Sequence, residues 1–285
     1  MKKFKRSIKE KRQNRSSYAG SVDKLVNFWK KGNLKRRSSY IHGGDEASLV
    51  KHECPAIGNG GGFLEEWCEK FSKKTDKKLH VGLLPHPYCG DLKNAEVFIL
   101  MLNPGFGILD YLDEENNKFR AALKNNLLQQ ECGEFPFIFL NPEFHGTGGG
   151  RYWLRKFEDL IRLAVKKENG NFEKALQFLS KMIATIELFP YHSQSAPPIS
   201  SVKRNQPESV KAAIDFVKHG LIKKARKEGR LVIVARGGRY WGKANVSKGQ
   251  SFSLSMRSRP GRKVACFLWR NDKEFLGKIK KMTTC

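Results

Sequence analysis

Four short runs along the chain are dominated by apolar residues: Val97–Leu102, Met182–Phe189, Leu231–Ala235 and Val264–Trp269. Apolar runs of this length without regular alternation read as strands buried on both faces, the kind found in parallel sheets covered by helices. Each run stops in turn or polar residues: Asn103-Pro104-Gly105, Pro190-Tyr191-His192-Ser193, Arg236-Gly237-Gly238 and Arg270-Asn271-Asp272. Between the runs the spacing becomes helical. Trp153, Phe157, Leu160, Ile161 and Ala164 fall on one face, as do Leu64, Trp67, Cys68 and Phe71. Helices are predicted over 63–74, 108–130, from Arg151 onward, over 172–180, over 208–228 with a strongly basic face, and over 273–282. Ile57–Gly62 reads as a glycine-rich connector, Gly146–Gly150 as a flexible loop, and Ser193–Pro207 as a polar loop. Phe135–Leu140 reads as a short strand or an aromatic wall. No internal repeat is present. Strands alternating with helices make a three-layer α/β/α domain around a central, mainly parallel four-stranded sheet.

Charge adds a partner to this picture. The 285 residues hold 54 Lys and Arg against 28 Asp and Glu, a net charge of +26. Such an excess points to a polyanion, nucleic acid first and an anionic membrane surface second. Residues 1–40 hold 14 of the basic residues and 2 acidic ones, with little apolar periodicity outside Val22–Trp29. Residues 1–45 are therefore expected to form a flexible basic arm that tracks phosphates, and 46–285 a single domain. No stretch approaches the ~18 apolar residues of a membrane span. The charged N-terminus lacks the apolar segment of a secretory signal. A cytoplasmic protein is expected, a basic nuclear-import segment being the eukaryotic alternative. The six cysteines include no C-x-x-C pair, which argues against a structural zinc site or an iron–sulfur cluster. No metal and no cofactor are expected, and the chain is expected to be a monomer.

In open α/β sheets ligands bind beyond the carboxyl ends of the strands. The strand ends here collect Asn103, His192, Arg236 and Asn271 on one rim. His86, held between two prolines, and Tyr88 lie on a loop leading into the first strand and are further ligand candidates. No nucleophile elbow, H-E-x-x-H or carboxylate pair stands near the rim. Glu187 lies inside the second strand, and Asp91 and Asp110 lie on loops. That set disfavours phosphodiester cleavage by metal ions, which needs several carboxylates on hard cations. The glycine loop at 58–62 lacks the G-K-[ST] of a nucleotide P-loop. An Asn at a strand end can hold a water through its side-chain carbonyl. This weak activation suffices where the bond breaks mostly before water arrives, as in N-glycosidic hydrolysis through an oxocarbenium-like sugar. There the protein stabilises the departing base and the sugar cation. His192 or a backbone amide is the candidate to hydrogen-bond the leaving base.

Leu102-Asn103-Pro104-Gly105 after a buried strand resembles the first motif of the uracil-DNA glycosylase superfamily. In its mismatch-specific branch a similar Asn-Pro-Gly positions the attacking water. Arg151-Tyr152-Trp153 with Leu160 is similar to the aromatic-led helix that follows this motif. Leu231–Ala235 with its Arg-Gly loop and Trp241 is similar to the third strand and its loop. The resemblance spans roughly residues 80–280. It implies a monofunctional DNA glycosylase acting on a flipped-out base, with Asn103 and His192 catalytic. Pro104, Gly105, Phe106, Phe139, Tyr152, Trp153 and Asn271 would form the base pocket, although each aromatic also reads as ordinary core. Arg151, Lys203, Arg204, Arg236, Arg239, Arg257 and Arg259 would meet DNA phosphates, and Trp241 with Arg239 would enter the gap left in the duplex. Two departures bear on the substrate. The family's last strand is usually followed by His-Pro-Ser or Asn-Pro-Ser, whereas Trp269 is followed by Arg270-Asn271-Asp272-Lys273. Gly105 stands where a uracil-selective enzyme has Tyr, leaving room for a base with a large 5-substituent. The overall pattern resembles the bacterial anti-phage DNA glycosylases, which implies a hypermodified, glucosylated cytosine in phage DNA as target. The alternatives are a uracil or mismatch repair glycosylase, a non-catalytic nucleic-acid-binding protein on the same fold, and a nucleotide-binding α/β enzyme.

Overall fold

The computed structural model describes residues 18–32, 34, 39–49, 79–107, 109–130, 133–194, 206–242 and 252–253. Its strands are β1 (Tyr88–Cys89), β2 (Val97–Met101), β3 (Ile183–Glu187), β4 (Leu231–Val234) and β5 (Phe252–Ser253). They form one sheet in the order β1-β3-β2-β4-β5. β2 pairs in parallel with β3 and β4, and β4 with β5, while β1 is a short antiparallel edge. Three of the four predicted runs are thus the adjacent central strands. The fourth, Val264–Trp269, lies outside the described residues, as do the helices predicted over 63–74 and 273–282 and the connector at 57–62.

Alternate side chains of each strand enter different cores. Phe98 and Leu100 join Ala184, Ile186, Val232 and Val234 on one face; Val97, Ile99 and Met101 join Ile183, Leu231 and Ile233 on the other. Both faces are apolar, so these strands show no polar alternation. A helix over 18–30 and the helical stretch 208–228 cover the first face. The helices Asn117–Leu127, Gly148–Lys156, Glu158–Lys167 and Phe172–Met182 cover the second. The architecture is a three-layer α/β/α sandwich. None of the described helices is long and apolar enough to cross a membrane.

The flexible arm expected over 1–45 requires correction. Residues 18–30 are helical, and Tyr18, Val22, Leu25, Val26 and Trp29 form a buried stripe against the sheet. Their spacing is that of one helix face. The Tyr18 hydroxyl donates to the Leu92 carbonyl at 2.6 Å. The basic residues that flank this stripe, eight of them in 1–17, hide it from a reading based on charge density. Nor is there a domain boundary at 45/46. Asp45 is fully buried; its Oδ2 accepts from the Tyr191 hydroxyl at 2.6 Å and its Oδ1 from the Ser209 N–H at 2.9 Å. It therefore satisfies one of the open N–H groups at the start of helix Glu208–Asp215.

Three local expectations also change. The helix predicted over 108–130 is two, Asp110–Glu115 and Asn117–Leu127, divided at Asn116, whose side chain caps the second. Gly148–Gly150 are not a loop but the first turn of helix Gly148–Lys156, capped by Thr147. These glycines serve packing, since a Cβ on Gly149 would enter the Phe139 ring. Of the two readings of Phe135–Leu140 the strand is absent, Ile138–Leu140 being a single 3₁₀ turn, while Phe139 does stand in a cavity wall.

Candidate functional site

The loops after β2, β3 and β4 converge, with the helices of the second face, on a cavity of about 300 Å³. Its lining includes eleven candidate residues singled out from the sequence: His86, Tyr88, Asn103, Pro104, Gly105, Phe106, Phe139, Tyr152, Trp153, His192 and Arg236. The volume is at the lower end for small-molecule sites. The Phe189 N–H donates to the Leu102 carbonyl at 2.8 Å, which ties the exit of β3 to that of β2 and fixes the floor.

Asn103 is buried, and its amide N–H groups face Pro104 O at 2.8 Å, Ser193 Oγ at 2.9 Å and Ser193 O at 3.4 Å. Three acceptors around the nitrogen identify that end of the side chain as NH₂. Oδ1 is then the acceptor left for a ligand or water. Beyond it, Gly105 is exposed, and a Cβ added there meets nothing within 4 Å. One face of Phe106 is covered by His80, the rings stacking at 3.4 Å between centroids.

His192 does not fit the leaving-group role expected of it. Its Nδ1 lies 2.9 Å from the Gly105 carbonyl, which can only accept, so Nδ1 carries the proton. Nε2 is buried without a partner and in this tautomer has a lone pair but no hydrogen to donate. Burial lowers the pKa of the ring, opposed by Asp110 and by the carbonyls of Gly105 and Leu84, so the neutral form is favoured. Asp110 Oδ2, held by the Gly107 N–H at 2.8 Å, stands 3.9 Å from Nδ1.

The absence of rim carboxylates inferred from sequence is also corrected. Asp110, Asp113, Glu114 and Glu187 all line the cavity. Glu187 closes β3 on the same sheet face as Ile183 and Thr185, so it points into the second layer. Its Oε2 is buried without a partner. Burial pushes its carboxyl up to about 8, with the Arg236 guanidinium pulling the other way. Glu114 accepts the Leu84 N–H at 2.9 Å through Oε1, while Oε2 is buried and unpaired; burial raises this carboxyl too, to about 8. His86 lines the same wall, with its ring centroid 4.5 Å from that of His192.

One predicted contact, that of Trp241 with DNA, falls elsewhere, and most of the other predicted DNA residues lie outside the cavity lining or outside the described residues. Trp241 is fully buried in the first-face core, its indole N–H donating to the Met101 carbonyl at 2.9 Å, so it cannot enter a duplex. Arg151 is exposed and bonds the Gly146 carbonyl, outside the cavity lining. Arg239 lies in the short helix Gly238–Trp241 that follows β4. Lys203, Arg204, Arg257, Arg259 and Asn271 lie outside the described residues. The cavity supplies one cation that the motifs did not flag. Arg155 joins Arg236 in its lining, and both lower the pKa of Lys156 by their charge, after burial. Arg155 is one helical turn beyond Arg151, a spacing that could have found it.

Compared with family models, curated proteins and solved structures, the chain has no match.

Proposed function

We propose that this protein is a monofunctional DNA glycosylase of the uracil-DNA glycosylase type, acting in the cytoplasm on a bulky modified base. The observation that carries the reading is Asn103: a side chain at a strand end, fixed through its nitrogen, with its carbonyl oxygen left for a water in an aromatic-walled cavity. The target nucleotide must leave the stack to reach that depth. Phe139, Tyr152 and Trp153 offer apolar walls, and the Arg155, Lys156 and Arg236 cluster suits flanking phosphates.

In the reaction the C1′–N bond breaks with its electron pair going to the base. A water on Asn103 bonds C1′ through its oxygen, and the proton it loses balances the one the departed base takes up on the nitrogen that held C1′. The base needs a hydrogen-bond donor as charge develops. Glu187 fits this need better than His192. Raised to about 8, its carboxyl is largely protonated at neutral pH and presents an O–H in a dry site. The open space beyond Gly105 supports a base with a 5-substituent, such as glucosylated hydroxymethylcytosine, and an antiviral role against phage DNA. Uracil or mismatch repair is the alternative on the same chemistry.

The test is incubation with duplexes carrying uracil, 5-hydroxymethylcytosine or its glucosylated form, followed by alkaline cleavage of abasic sites. Release from the glucosylated substrate, with little from uracil, is expected. Tight DNA binding with no release from any substrate would make the chain a non-catalytic binding protein. Stabilisation by free nucleotides but not by DNA would favour a nucleotide-binding enzyme.

A further inference from the structure

One wall of the cavity has a feature that the glycosylase chemistry does not use. One donor atom from each of His86, Glu114 and His192 lies within 4.8 Å of the other two. Each residue also carries a buried polar atom with no partner: Nε2 of His86, Oε2 of Glu114 and Nε2 of His192. Buried polar atoms left unpaired are costly and rare, and three in one cluster call for a common partner.

The surroundings specify what that partner is. The His192 Nδ1–H is committed to the Gly105 carbonyl, which leaves the buried, unpartnered Nε2 as the nitrogen with a free lone pair. A histidine that ligates a metal holds its other N–H in this way. Glu114 Oε1 is committed to the Leu84 N–H, leaving Oε2 as its ligating atom. The three residues come from three separate segments: the loop before β1, the helix Asp110–Glu115 and the loop after β3. Two imidazole nitrogens and one carboxylate oxygen are the protein ligands of an open zinc site and of related divalent first-row ions. The cysteine spacings that argue against zinc in the sequence do not address such a site.

We propose that His86, Glu114 and His192 bind one divalent transition-metal ion of the zinc type. Donor separations in a tetrahedral site are about 3.3 Å for bonds of ~2.0 Å, so the cluster closes slightly on binding. The fourth position is left to water or to a ligand in the cavity. Bound there, the ion cross-links the loop before β1, the helix after Gly107 and the loop carrying Ser193. It thereby rigidifies the floor on which Asn103 is held. This proposal does not depend on the reaction above, and its readout needs no DNA.

The experiment is zinc titration of the full-length, chelator-treated and reduced protein in competition with a chromophoric chelator. One equivalent per chain is expected. Glu114→Gln and His86→Ala should each weaken it at least tenfold, while His219→Ala, at a surface histidine, should leave it unchanged. Gln at 114 retains an acceptor for the Leu84 N–H, so this variant separates loss of ligation from loss of fold. X-ray absorption of the zinc-loaded wild type should show nitrogen and oxygen ligands with imidazole scattering and no sulfur. Absence of stoichiometric uptake, uptake insensitive to both variants, or a sulfur-ligated ion would overturn the proposal; water would then be the cluster's partner. Failure of this test leaves base release untouched, and failure of base release leaves zinc binding untouched.

Discussion

At Glu187 a carboxyl sits where water does not hydrate it, and this residue, like Glu114, makes stability depend on pH. Its pKa rises from an ordinary 4.5 to about 8 on folding. Between those values the folded state binds the proton and the unfolded state does not, so stability falls as pH rises through that window. Denaturant unfolding of Glu187→Gln should therefore show a shallower fall from pH 5 to pH 8 than wild type; an identical slope would remove the buried acid from the account. The same variant should slow base release, because an amide N–H is a weaker acid than a carboxyl. Trp241 is a residue-scale case of the opposite kind. The sequence predicts that it enters a duplex, but it packs at zero exposure and bonds Met101. Trp241→Ala should cost about 3–5 kcal/mol of unfolding free energy in denaturant titration, as large core truncations do.

Among the elements, the central strands were legible because burial on both faces leaves an apolar run that few other structures produce. That same uniformity hides which face each side chain takes. Glu187 could be read as inside its strand, but not as facing the cavity, until pairing with β2 set the register. Helix 18–30 is obscured by the basic residues that flank it, Glu114 sits on a polar helix where nothing local marks it, and Arg155 is marked only by its one-turn spacing from Arg151. Asn103 was legible since a buried strand ending in Asn-Pro-Gly combines a strong pattern with a sharp stop. The opening of helix Gly148–Lys156 was misread because three glycines usually signal a loop. Their packing role is testable: Gly149→Ala should destabilise the fold by about 1–3 kcal/mol, the range for overpacking. It should also impair substrate binding, because Phe139 forms the cavity wall. Unchanged stability and affinity would show that the wall yields freely.

For the whole molecule, residues 1–17 contain eight of the 54 Lys and Arg, and the buried helix face begins at Tyr18. Deleting 1–17 should leave the melting temperature near that of wild type and reduce the salt dependence of DNA affinity. The loss in log–log slope is up to about 7 if every charge meets a phosphate. Deleting 1–45 should instead unfold the protein, as it removes both the helix over 18–30 and the Asp45 clamp on Tyr191 and Ser209. These outcomes locate the charge that the proposed DNA contact uses, whereas the proposed chemistry rests on a water placed at Asn103. The most direct test is single-turnover base release from glucosylated hydroxymethylcytosine DNA by wild type and Asn103→Ala, alongside their DNA affinities. Release in wild type, a loss of about a hundredfold or more in the variant, and affinities equal within a few-fold are predicted. Equal release by both proteins would contradict it.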